Sequence, residues 1–99
     1  MTCRIRPHTR GATFRMRDVL PMDLTGYTIR SQAVAGNFVT DLECRVVDEA
    51  GGVIEVEQSA ALTAAWPLGM MSMDVRAQLG DEVAFSEILT IHVLKGVTQ

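Results

Sequence analysis

The chain has 99 residues, 47% of them hydrophobic and 21% charged, with a formal net charge of −3. That is the composition of one globular domain (residues 1–99), large enough to bury a single core and no more. No apolar run approaches the ~18 residues of a membrane span, and the arginine-rich start lacks the apolar stretch of a secretory leader.

The first seventeen residues hold five arginines (Arg4, Arg6, Arg10, Arg15 and Arg17) and no acid, whereas from Asp18 onward twelve acids meet four bases. Residues 1–11 read as an edge strand or a basic arm; Pro7 restricts any strand there to an edge or an end. Residues 13–17 form the next predicted strand, with Phe14 and Met16 on the dry side and Arg15 and Arg17 on the wet side. Residues 21–26 are a turn-rich connection. The predicted strand 27–34 sets Tyr27, Ile29, Ser31 and Ala33 on one face. The predicted strand 38–47 is the longest, with Phe38, Thr40, Leu42, Cys44 and Val46 facing one way and Asp41, Glu43 and Arg45 the other. Asp48 to Gly52 is a hairpin loop of residues that tolerate unusual backbone angles, and 53–58 follows with Ile54 and Val56 inward.

Residues 59–66 break the alternation. Ser59 is a suitable N-cap, the alanine-rich stretch after it suits one or two helical turns, and Pro67 with Gly69 ends them. Leu62 and Trp66 are expected to close one end of the core. Residues 70–79 are the next predicted strand, and from 71 to 79 they alternate without exception: Met71, Met73, Val75, Ala77 and Leu79 are apolar, and Ser72, Asp74, Arg76 and Gln78 are polar. The last predicted strand, 83–94, turns Val83, Phe85, Leu89, Ile91 and Val93 inward. Glu87 falls within that set. A buried lone carboxylate costs several kcal/mol, so a bulge or sheet switch near Ser86–Glu87 is expected to turn it to water. About seven short strands with one helical insert predict an all-β, immunoglobulin-like antiparallel sandwich, without the Cys…Trp…Cys spacing of antibody domains.

No catalytic constellation assembles from these residues. His8 and His92 have no cysteine or acid at metal-ligand spacing, so no cofactor or metal is expected. Gly51-Gly52 lacks the following helix of a phosphate loop. Cys3 and Cys44 read as reduced thiols, with a bridge between them as the alternative. An acidic body with little basic–aromatic interleaving argues against nucleic acid. Five aromatics, mostly on apolar faces, argue against the alternative of a carbohydrate- or surface-binding module. Arg4, Arg6, Arg10 and Met70 are the candidate interaction residues: three cations ahead of an acidic body, and an adaptable side chain beside a sheet edge.

One resemblance runs from about Thr13 to Val93. The phrase Pro21-Met22-Asp23-Leu24-Thr25-Gly26-Tyr27-Thr28-Ile29 follows a short strand holding Phe14. The 48–52 turn, Pro67-Leu68-Gly69 and Met73-Asp74-Val75 then come in matching order. This set resembles the small immunoglobulin-like domain at the N-terminus of tailed-phage baseplate upper proteins and in short prophage tail-region proteins. The resemblance implies a non-enzymatic phage structural or assembly protein of the tail, baseplate or neck. It implies docking to other phage structural proteins and to further copies of itself, with no small-molecule substrate and no membrane. It also places the protein in the host cytoplasm during assembly and then in the virion. The chain stops after its last strand, where baseplate proteins continue into a stalk, so a receptor-binding adaptor role is not implied.

Overall fold

The computed structural model describes residues 4–97. Alternating apolar and polar side chains build eight strands and one helical turn: β1 (Arg4–Thr9), β2 (Phe14–Val19), β3 (Thr28–Ala35), β4 (Phe38–Asp48), β5 (Val53–Gln58), α1 (Ala60–Thr63), β6 (Gly69–Leu79), β7 (Glu82–Phe85) and β8 (Leu89–Leu94). They form one mixed sheet in the order β1-β8-β6-β3-β4-β5-β2, with β7 also on β6, curled until it is nearly closed into a barrel. The expectation of an all-β chain holds. The expectation of purely antiparallel pairing does not, because β1 runs parallel to β8, from Arg4 opposite Leu89 to Thr9 opposite Leu94. Nearly the whole chain separates these two strands, so no tight hairpin dictates their relative direction.

The long strand β4 makes the curl. Its first half, Phe38 to Leu42, pairs with β3, and its second half, from Glu43, pairs with β5. An extra residue between Val46 and Asp48 bulges the β4–β5 ladder and bends the strand further. The hairpin loop after it is anchored by Gly52. Its amide neighbours leave no room: a Cβ there would sit 2.2 Å from the Leu20 carbonyl oxygen and 2.5 Å from that of Met22, and φ is +69°. The Gly52 carbonyl in turn accepts from the Leu20 N–H at 2.8 Å. The 20–24 connection therefore lies directly on the hairpin, and Leu24 is buried.

The core gathers Phe14, Ile54, Val56, Trp66, Ile91 and the odd residues of β6 from Met71 to Ala77. Trp66 is fully buried, as expected, and its Nε1–H donates to the Gln58 side-chain oxygen at 2.6 Å. The helical insert is shorter than the predicted 59–66, and Leu62 does not close the core: it is 56% exposed, and Thr63 takes the buried place. A single turn can direct only one side chain inward, and the Thr63 hydroxyl is the better fit. It donates to the Ala12 carbonyl at 2.7 Å and accepts from the Gly11 N–H at 3.1 Å, tying the turn before β2 to the helix.

The expected bulge near Glu87 is present, with a consequence that corrects the predicted face of the last strand. Phe85 stands opposite Arg76, and Leu89 stands opposite Met73. Four steps along the β7–β8 segment thus match three along β6. One extra residue flips every side chain upstream of it to the other face. Glu87 reaches water, Leu89, Ile91 and Val93 stay buried, and Val83 and Phe85 are turned outward, at 44% and 63% exposure. Ser86 fastens the break: its N–H donates to the Val75 carbonyl, and its hydroxyl accepts from the Val75 N–H, both at 2.8 Å.

Candidate interaction surface

The basic N-terminal stretch is an edge strand. In register with Ile91 and Val93, Arg6 and His8 lean over the seam between β1 and β2, the two ends of the sheet. Arg6 Nη2 donates to the Arg15 carbonyl at 2.9 Å, and its guanidinium lies 5.4 Å from the Phe14 ring centre. His8 Nε2 donates to the Ala12 carbonyl at 2.9 Å, and the imidazole packs edge-on against Phe14 and tilted against Trp66. A carbonyl only accepts, so Nε2 carries the proton. The seam is closed by side chains, and Arg6 is spent on closing it. Arg10 is half-buried, its backbone N–H bound to the Leu94 carbonyl at 2.8 Å. Arg4 opens β1 opposite Leu89; its side chain, like all of Cys3, lies outside the described residues. Cys44 is a half-buried free thiol whose pKa is pushed up by burial, with Arg30 opposing the shift.

Arg15 and Arg17 are the wet side of β2, as the alternation predicts, and they belong to an ion network across β2, β5 and β4. Arg15 meets Glu57 at 3.2 Å and Arg17 meets Glu55 at 3.2 Å, while Arg45 reaches both carboxylates. The hydrogen bond from Arg15 holds the Glu57 carboxyl below its ordinary pKa. On this face each cation is matched, and the arrangement is structural.

The opposite outer face, on β3, β6 and β7, is different. Met70, Ser72, Asp74 and Arg76 share one side of β6, and Met70 is 56% exposed. Arg76 stands directly opposite Arg30 on β3 on one side and opposite Phe85 of β7 on the other. Two hollows lie along this face. One, of about 220 Å³, is lined by Arg30, Ser31, Gln32, Asp74, Arg76 and Phe85. The other, of about 170 Å³, is lined by Gln32, Val34, Ser72, Met73, Asp74 and Ile88. They share Gln32 and Asp74, so they form one trough. Its cationic end is flanked by Phe85 and its apolar end by Val34 and Ile88, both exposed. The register shift at 86–88 produces it by standing Phe85 and Ile88 above the sheet. A third hollow, of about 400 Å³, lies beyond Phe85, where the barrel stays open toward Val19 and Leu20.

Of the residues singled out from sequence, Met70 lies on the face that carries the trough, whereas Arg6 lies at the β1–β2 seam. Arg30, Arg76, Phe85 and Ile88 were not singled out. The signal for Phe85 and Ile88 was the interrupting Glu87: once a bulge is required there, the residues before it change face. The opposition of Arg30 and Arg76 depends on β3–β6 register, which the sequence does not display. Against models of known protein families, and against curated proteins, the chain shows no match.

Proposed function

We propose that this protein is a non-enzymatic structural or assembly component of a tailed phage or prophage, acting by docking to other proteins. The observation that carries the docking reading is the outward row of Val83, Phe85 and Ile88 beside the four-residue strand β7, whose far edge carries no further strand among the described residues. A strand edge offers backbone hydrogen bonds to an incoming chain, and exposed apolar side chains beside it give that chain something to bury. Phe85 is the one strongly exposed aromatic among the described residues, whereas a sugar-binding face stacks several.

The phage assignment draws on the sequence resemblance, and the topology is compatible with an immunoglobulin-like relationship. Strands β2, β5 and the second half of β4 match one leaf of such a fold, and β3, β6 and β8 match the other. In this reading β4 runs on from one leaf to the other and joins them. The test is mass spectrometry of purified particles and assembly intermediates after induction of the host. The protein is expected in one or both at a fixed ratio to other structural proteins; its absence from both would overturn the phage role.

A further inference from the structure

The trough on β3, β6 and β7 has an electrostatic feature that packing does not explain. Like charges directly opposite on a sheet destabilise it, and Arg30 and Arg76 are in register across β3 and β6. Arg30 has a distant carboxylate, Asp41, at 3.9 Å, and Asp41 is already bound by the Gln32 amide at 2.7 Å. Arg76 is half-buried and has no ion-pair partner among the described residues. On the other outer face of the same barrel, each arginine of β2 lies in register with a glutamate on β5. The pairing of two guanidinia therefore does not follow from how this sheet handles charge elsewhere. Two fork-shaped donors in register match a carboxylate, and Phe85 lines the same hollow opposite Arg76.

We infer that this trough is the docking groove for an extended acidic segment of a partner protein. The segment sets a carboxylate against Arg30 and Arg76 and an apolar side chain against Val34 and Ile88. The spacing follows from register: Arg30 faces Arg76 and Val34 faces Ser72, four residues apart along both strands. An extended ligand covers that in four residues, roughly 13 Å. The acidic and apolar side chains of the segment are therefore separated by three residues, and side chains two apart share a face. The residue midway between them faces Gln32 and Asp74, where a hydroxyl is accommodated and a second acid is not. This deepens the docking reading and rests on it.

The test is titration of the isotope-labelled full chain, followed by backbone amide shifts. The probes are acetyl-Glu-Ser-Thr-Ser-Leu-amide and its reversed sequence, with the same peptides carrying Gln for Glu as controls. The expected result is saturable shifts at Arg30, Gln32, Val34, Asp74, Arg76 and Phe85, in the millimolar range, with one of the acidic peptides. The Gln peptides weaken binding at least about tenfold. Arg76→Glu sets opposite charges face to face across β3 and β6, so that variant folds at least as stably as the parent and loses the shifts. Arg30→Gln weakens them. No saturable shifts with either acidic peptide, or shifts that survive Arg76→Glu, would overturn the proposal. It would equally be overturned if inorganic phosphate gave the same shifts at the same midpoint, which indicates a general oxyanion site. Self-association of the parent that disappears in Arg76→Glu would also overturn it, in favour of a second copy as occupant. A protein found in particles whose amide spectrum ignores the peptides would sink the groove and leave docking standing.

Discussion

At the scale of single residues, the buried polar groups have definite jobs. Gln58 is 3% exposed and serves three partners: its side-chain oxygen accepts from Trp66 Nε1, and its amide donates to the Asp41 carbonyl at 2.8 Å and to the Thr40 hydroxyl at 3.3 Å. Alternation places Gln58 inward, yet its polarity conceals that position until Trp66 is seen above it. Replacing Gln58 with leucine, of similar size and more apolar, leaves the indole N–H without an acceptor. Gln58→Leu is expected to lower stability by about 1–3 kcal/mol in urea unfolding. The charged surface behaves differently. Glu57 has a folded pKa below its ordinary value because Arg15 hydrogen-bonds its carboxylate. A carboxyl depressed by folding adds stability that is present above its unfolded pKa and is lost as pH falls through its folded one. The stability difference between the parent and Glu57→Gln should therefore shrink as urea unfolding is repeated from pH 7 down to pH 3. An unchanged difference would show that the pair contributes nothing.

At the scale of elements, the strands of the middle of the chain were legible because each has one dry and one wet face. Residues 53–58 match β5 end for end, and 70–79 differ from β6 by one residue. The final segment was legible only in part. Glu87 betrayed a break, but a break shifts register by one residue or by none, and only the pairing with β6 decides which. That one residue moves Phe85 from the core to the surface. The break depends on Ser86, whose hydroxyl occupies the Val75 N–H that a regular ladder would have paired. Ser86→Ala is expected to cost about 1 kcal/mol and to speed hydrogen exchange at Val75. The N-terminal stretch was ambiguous for another reason. A row of arginines suggests a solvated arm, and nothing in residues 4–9 reveals that β8 offers them a parallel edge. Once paired, Arg6 and His8 become the closure of the barrel.

At the scale of the whole molecule, two outer faces of one sheet carry charge in opposite ways. Across β2, β5 and β4, arginines and glutamates alternate and compensate one another. Across β3, β6 and β7, two arginines meet, and exposed Phe85, Ile88 and Val34 accompany them. The first face is finished as it stands; on the docking proposal, the second is the one that a partner completes. That contrast depends on which side of the sheet Phe85 occupies. Cross-strand backbone NOEs in the full chain measure it directly. The account predicts that Phe85 pairs with Arg76 while Leu89 pairs with Met73. Phe85 pairing instead with Ala77, in one unbroken register with Leu89–Met73, would return the ring to the core and contradict the account.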